Sequence, residues 1–501
     1  MKQKHLFLFI AALCAVLFVS CKRDAYKNAI PANAFVVAEV DIADLALKSD
    51  AVANKDRIMN IVRAVTDDRQ MQDEIRGMFD NPLSLGINFL KPACLFAFGE
   101  NSDDLNGGLL FAVSSMSKLK SALNDEDLTA EETDGILYLY DKESLIGGAN
   151  KHSLLLGISS KTLLLDLLRQ NEENSFYGTA ASGILKDNSG DIAVMMNTKT
   201  LPYDIKREVK DEILSTLKAF DDKEKYADIV DDLQVVANLQ FHKGEILLNV
   251  LAHSDNELLL KAQENTAKID KAALAYLPTD DLFAMMACGI DMTSSREEID
   301  RTIAEYTDEI EDGQVRRLIS SLVSAVCKLN GTMAVSVKSE NIENDPKVVA
   351  LLPIDKAEVN QLMDDFEEIA EEDLRQMVNL KGNQSITAIS TIDDYEFEKA
   401  SQPFKYAGNA ADKYLYAYVG GKKLVDMIYD NYTSSYSYRR YASKEERKST
   451  QMIFDLCYKA DYAELYSDSN NRLTLRLALT EDSKNALAVL LNGILDIAEA
   501  N

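Results

Sequence analysis

The sequence has no tryptophan, four histidines and eight prolines in 501 residues. Each shortage narrows the chemistry. A Ser-His-Asp arrangement needs an imidazole base. Beyond His5, only His152, His242 and His253 can supply one, and none has a G-x-S-x-G neighbourhood. The six cysteines never form a C-x-x-C pair, which argues against zinc and against a dithiol redox centre. Basic residues are outnumbered, 54 against 82 acidic, for a formal net charge of −28. A field of that sign repels phosphate backbones and anionic headgroups, so nucleic acid is not expected as a partner. Cations, basic proteins and neutral glycans remain compatible with it.

What is present at the N-terminus is a short export pattern. Lys2 and Lys4 precede the apolar run Leu6 to Val19, which is too short to span a bilayer comfortably. The run ends in Phe18-Val19-Ser20-Cys21. This resembles the bacterial lipoprotein signal, with Phe18 where that signal usually has Leu. The resemblance implies removal of residues 1–20, acylation of Cys21 and stable anchoring through several acyl chains. Residues 21–29 then read as a lipidated polar tether. They hold a single acid, Asp24, where surface-exported lipoproteins usually carry an acidic run, so a periplasm-facing outer-membrane location is expected, with surface exposure as the alternative. Cys94, Cys288, Cys327 and Cys457 are scattered, and buried thiols are the leading reading; spacing leaves disulfides open.

Hydropathy patterning predicts an α+β fold. Strands are expected over 35–41, 94–98, 109–113, 136–140, 154–158, 192–196, 233–241 and 245–251, the last two forming a hairpin around His242-Lys243-Gly244. Helices are expected over 41–48, 57–65, 70–79, 115–123, 162–169, 203–220 and 256–266. The segment 124–134 reads as an acidic loop and Gly147-Gly148 as a turn. From Pro278 the order replays, with strands over 282–286, 332–337, 348–352, 414–419, 462–467 and 472–479. Helices over 296–311, 315–329, 358–371, 424–429 and 484–498 accompany them. In this replay 414–419 and the following helix echo 154–169. Paired short strands between helices predict antiparallel or mixed sheets covered by helices. The expected organisation is a first lobe over 30–272 and a second, related lobe over 273–501.

The lipoprotein signal, the two openings at Pro31-Ala32-Asn33 and Pro278-Thr279-Asp280, and the repeated order resemble the Bacteroidetes envelope lipoproteins of domain of unknown function 4836. That resemblance covers nearly all of the mature chain. It implies location and architecture, and brings no catalytic residues.

No chemical constellation is complete. Ser115-Met116-Ser117-Lys118 fits S-x-x-K and Ser254-Asp255-Asn256 fits S-D-N, but no Lys-Thr-Gly follows, so an N-cap serine is the simpler reading. Gly420-Gly421-Lys422-Lys423 and Ser159-Ser160-Lys161-Thr162 lack phosphate-loop spacing. The acidic pairs Asp221-Asp222, Asp231-Asp232, Asp280-Asp281 and Asp393-Asp394, and the run Asp364 to Asp373, lack the glycine-containing loop that calcium wants. They read as solvated faces. Asp41 and Asp291 read as helix caps. No cofactor and no metal are expected. The most distinctive patch is Tyr429 to Tyr441, a long surface excursion. Within it Tyr432, Tyr436, Tyr438, Arg439, Arg440 and Tyr441 are candidate contacts for an envelope protein or glycan, since Tyr and Arg dominate contact surfaces. The expected role is binding or scaffolding by a lipid-anchored envelope protein. The alternatives are an envelope hydrolase acting on glycan or peptide, favoured by a deep pocket with convergent polar groups, and a carrier of an apolar ligand, favoured by an apolar cavity open to solvent.

Overall fold

The computed structural model describes residues 24–123, 128–216, 224, 227–257, 259–260, 266–278, 280–293, 312–338, 346–370, 378–400, 404–469 and 471–500. These form two compact units. The first holds the residues up to Phe241, with Ala252–Ser254 and Leu487–Glu499; the second holds His242–Leu251 and Asp255–Ala486.

The strands of the first unit are β1 (Val36–Val40), β2 (Ala93–Phe98), β3 (Asn106–Ala112), β4 (Leu128–Thr133), β5 (Ile136–Asp141), β6 (Ser144–Ala149), β7 (Ser153–Leu156), β8 (Ile192–Asn197) and β9 (Gln234–His242). They pair antiparallel in the order β9-β8-β1-β2-β3-β7-β6-β5-β4. The helices between them are α1 (Ile42–Lys48), α2 (Lys55–Val65), α3 (Arg69–Asp80), α4 (Met116–Ala122), α5 (Lys161–Arg169), α6 (Ala180–Asp187) and α7 (Tyr203–Thr216). Strand alternation sends Val37, Cys94, Phe96, Leu110, Leu155, Ala193, Met195 and Val236 into the core. There they meet Leu164, Leu167 and Leu168 of α5 and Ala181 and Leu185 of α6. Ala25–Ala29, within the segment expected as a tether, is a 3₁₀ turn whose Tyr26, Ala29 and the following Ile30 belong to that core. Leu95, Leu109 and Met196 point to the other side of the sheet and are exposed.

The second unit contains β10 (Glu245–His253), β11 (Thr266–Ala267), β12 (Leu282–Asp291), β13 (Asn330–Lys338), β14 (Val348–Leu352), β15 (Asn379–Gly382), β16 (Thr387–Ser390), β17 (Leu415–Gly420), β18 (Ala460–Ser469) and β19 (Arg472–Leu479). Their antiparallel order is β10-β19-β18-β17-β12-β13-β14-β16-β15, with β11 on the end of β12. Helices are α8 (Lys271–Leu274), α9 (Gly313–Val326), α10 (Lys356–Ala370), α11 (Ala407–Ala410), α12 (Gly421–Ser434), α13 (Tyr436–Tyr441) and α14 (Lys444–Cys457). The last helix, α15 (Ala486–Ala500), follows β19. The core gathers Met285, Ala287, Ala334, Val349, Leu351, Ala388 and Tyr416. The same six-strand order recurs, β9-β8-β1-β2-β3-β7 in the first unit and β18-β17-β12-β13-β14-β16 in the second.

The α+β class, with antiparallel sheets and helices, is what the patterning predicts. Three local expectations are corrected. Residues 128–133 are a strand, not a loop: β4 is an edge strand, paired among the described residues only with β5, and carries mostly exposed polar side chains. Gly147 and Gly148 lie inside β6, not in a turn. By pairing, 414–419 corresponds to β8 and not to 154–158, since β17 and β8 each flank the opening strand of their unit. The expected helix 296–311 and the signal with Cys21 lie outside the described residues, as do parts of 203–220 and 256–266. Among the described residues no helix is long and apolar enough to cross a membrane.

Candidate functional site

The serine and the lysine of the S-x-x-K match turn to other partners. Ser115 caps α4, its hydroxyl accepting from the Lys118 backbone N–H at 3.4 Å. The Lys118 ammonium instead donates to the Leu83 carbonyl at 3.4 Å. His152 is anchored by its backbone to Asn150, and His242 and His253 end β9 and β10. Ser160 caps α5, and Lys161 lies over the Tyr138 ring, so the Ser159–Thr162 segment is a helix start. The acids are mostly engaged: Asp231 with Lys210, Asp232 with Lys199, Asp280 with Lys338 and Asp281 with Lys423. Asp41 caps α1, and Asp291 accepts from Thr293. On α10, Asp365 is buried and accepts from Ser321 and Gln361, so this acid is not on a solvated face; 371–373 lie outside the described residues. Among the described residues no group of three His, Cys, Asp or Glu could hold a metal. Cys94, Cys288, Cys327 and Cys457 are thiols.

The tyrosine-rich segment, expected as a surface excursion, is helical. Ser435 caps α13, and Ser443 with Glu446 forms a capping box at the start of α14. Tyr432, Tyr436, Arg439, Arg440 and Tyr441 are exposed and Tyr438 is half-buried. Arg440 donates to the Tyr436 hydroxyl and lies 5.5 Å and 5.8 Å from the Tyr436 and Tyr441 ring centres. Arg447 covers Tyr438, and Tyr432 packs on Tyr438 at 5.1 Å. The result is a rigid aromatic and cationic knob.

Two cavities escaped the sequence reading. In the second unit, α9 and α10 lie beside the outer face of β14 and β16 and enclose about 330 Å³. The lining is apolar throughout: Leu322, Ala325, Val326 and Leu329 from α9 and its end, Val359, Leu362, Met363 and Phe366 from α10, Leu352 and Ile354 from β14 and its end, and Ile389 from β16. Leu322 and Phe366, 48% and 39% exposed, mark its mouth. Polar links hold the two helices together outside the cavity, Arg317 to Glu368 at 3.4 Å and Lys328 to Glu358 at 2.7 Å.

In the first unit a cleft of about 740 Å³ is lined by Asp24, Lys27, Glu39, Glu172, Tyr177, Ser182, Lys186 and their neighbours. Its floor is a polar cluster set into the core. Glu39 extends from β1 beside Cys94, accepts from the Lys27 ammonium at 2.7 Å and from the Tyr177 hydroxyl, and Lys27 lies 4.9 Å from the Tyr177 ring centre. Tyr26 donates to the Pro92 carbonyl at 2.8 Å. Burial pushes the Tyr26 and Tyr177 hydroxyls far above their ordinary range, reinforced by Cys94 and Glu39. Burial likewise raises the Cys94 thiol to about 12. The signal for this cluster was a carboxylate inside an apolar strand, Val37-Ala38-Glu39-Val40.

No curated protein matches the chain. A solved chain described as crystal form IV of TP0453 is similar at 12% identity and a TM-score of 0.23, over 48% of this chain and 82% of its own. The family model described as Domain of unknown function (DUF4836) matches residues 26–344, more than half of the sequence, and the chain belongs to that family.

Proposed function

We propose that this is a lipid-anchored binding protein of a bacterial envelope, of the Bacteroidetes type, held through Cys21 on the periplasmic side of the outer membrane, and that its second unit takes up an apolar chain. The observation that carries the ligand is the cavity between α9, α10 and the sheet, apolar on every side and open at Leu322 and Phe366. A cavity with no polar partner for water holds water poorly, so an apolar ligand entering it gains contacts without displacing well-held water. The anchor is supported by the residues Phe18-Val19-Ser20-Cys21 after a short apolar run.

The test uses delipidated protein and a dansyl-labelled fatty acid. Leu322→Lys puts a charge at the mouth and Ala325→Phe fills the space, and each should weaken uptake about tenfold or more, because a desolvated charge or a lost cavity outweighs the contact gain. Unchanged uptake in both folded variants would exclude the cavity as the site.

A second reading concerns a partner. The knob around Arg440 offers rigid tyrosine surface to an envelope protein or glycan. It is compatible with the first, since one is a ligand cavity and the other a contact surface. The hydrolase alternative draws no support from the S-x-x-K match, because Ser115 caps α4 and the Lys118 ammonium donates to the Leu83 carbonyl.

A further inference from the structure

We propose that the cleft in the first unit is a separate ligand site, for the zwitterionic phosphoethanolamine headgroup of a membrane phospholipid. The charges on its lining decide the class. Asp24 is bonded to Lys91 at 2.9 Å, and Lys27 is bonded to Glu39. That leaves Lys186 on α6 and Glu172, both exposed and both lacking an ion-pair partner among the described residues. Among the described residues the site thus presents one spare cation and one spare carboxylate. A bare phosphate would satisfy Lys186 and be repelled by Glu172; a bare amine would do the reverse. A ligand carrying both charges satisfies both, and its ammonium N–H groups can donate to Glu172. Phosphocholine carries the same charges without those donors. Lys27 adds donor capacity at the floor, since its ammonium has three N–H groups and spends one on Glu39.

Position identifies the source. Tyr26 and Ile30 are 2% and 0% exposed, so the chain is fixed in the fold from residue 25 onward. Three residues can extend at most about 11 Å, so Asp24 on the cleft rim lies within that reach of Cys21. A chain acylated at Cys21 therefore holds the cleft at headgroup level. The net charge of −28 disfavours anionic lipids and leaves zwitterionic ones. This choice of source rests on the anchor proposed above.

The two are separated by using the mature chain with Cys21→Ser, which has no anchor of its own. Flotation with vesicles of phosphatidylethanolamine mixed into phosphatidylcholine is compared with phosphatidylcholine alone. The mixed vesicles should bind about fivefold more protein, as expected for an added ion pair at exposed positions, worth about 1 kcal/mol. Soluble glycerophosphoethanolamine should compete. The double variant Lys186→Gln, Glu172→Gln, both at exposed positions, should abolish the difference while the fatty-acid uptake of the second unit persists. Equal binding to the two vesicle types, no competition, or an unaffected double variant would each overturn the headgroup site. The lipid mass on Cys21, measured on the natural chain, tests the anchor independently.

Discussion

Glu39 shows how one side chain organises a region that an apolar pattern conceals. It lies in β1 between Cys94 and Ala193, with its side chain on the core side of the sheet, and a lone half-buried carboxylate there would be costly. Lys27 and Tyr177 make it tolerable, and in doing so they tie the 3₁₀ turn after Asp24 to the sheet. Glu39→Ala leaves Lys27 buried without its partner and should destabilise the first unit by about 3 kcal/mol in urea unfolding. Lys27→Met combined with Glu39→Leu should recover most of that loss, because the desolvated charge is then gone. Cys94, in the same cluster, makes stability pH-dependent. Its thiol is raised from an ordinary 9.0 to about 12 by burial. The unfolded chain therefore loses this proton first, so the contribution is fully present below pH 9.0 and disappears as pH climbs to about 12. Cys94→Ala should flatten that alkaline part of the unfolding curve. In native protein at neutral pH, an alkylating reagent should reach the exposed Cys457 and spare Cys94.

At the level of elements, the helices α12 to α14 carry a prediction the cavities do not. Tyr436, Arg440 and Tyr441 stack on one another and on little else, so their replacement by alanine should leave the unfolding midpoint nearly unchanged, within about 0.5 kcal/mol. Crosslinked partner recovered from cells should nonetheless fall about tenfold if this knob is the contact. Undiminished capture by the triple variant would exclude it. This segment also shows what a sequence can and cannot disclose. Its helices α13 and α14 start at caps on Ser435 and Ser443, and its tyrosine-rich composition reads as a surface excursion and gives no sign of those starts. Periodicity located most of the strands and helices because one face of each is buried. It missed β4, where Leu128 and Ala130 are only half-buried and Glu131, Glu132 and Thr133 are exposed. It misread Gly147-Gly148 because glycine marks close approach as well as turns. A Cβ at Gly147 would sit 2.3 Å from the Leu155 carbonyl and one at Gly148 2.6 Å from that of Leu137. The apolar cavity was illegible for a different reason: its lining comes from separate helices and strands spread over residues 322–389, each of which reads as ordinary core.

The largest-scale feature is the course of the chain's end. Its last strand, β19, pairs with β10 and β18 in the second unit, yet Leu487–Glu499 belongs to the first. Nothing local in the sequence signals this, because an apolar helix is equally suited to either core. Within α15, Ala488, Val489 and Leu495 are 1%, 3% and 3% exposed, and Glu499 takes two hydrogen bonds from Arg57 of α2, at 2.7 and 2.8 Å. The first unit is therefore completed by residues that follow the second unit along the chain, and cannot reach its full packing until the second has been made. Removing residues 487–501 should strip about 5 kcal/mol of apolar burial from the first unit, by the usual transfer value for a buried Val and Leu with smaller terms from the alanines. That loss is comparable with the whole stability of a domain. In hydrogen exchange, peptides from 24–241 of the truncated chain should lose protection while those from 255–486 keep most of theirs. A free peptide spanning 486–501, added back, should restore protection to the first set alone. Equal loss in both sets would contradict the assignment of α15 to the first unit.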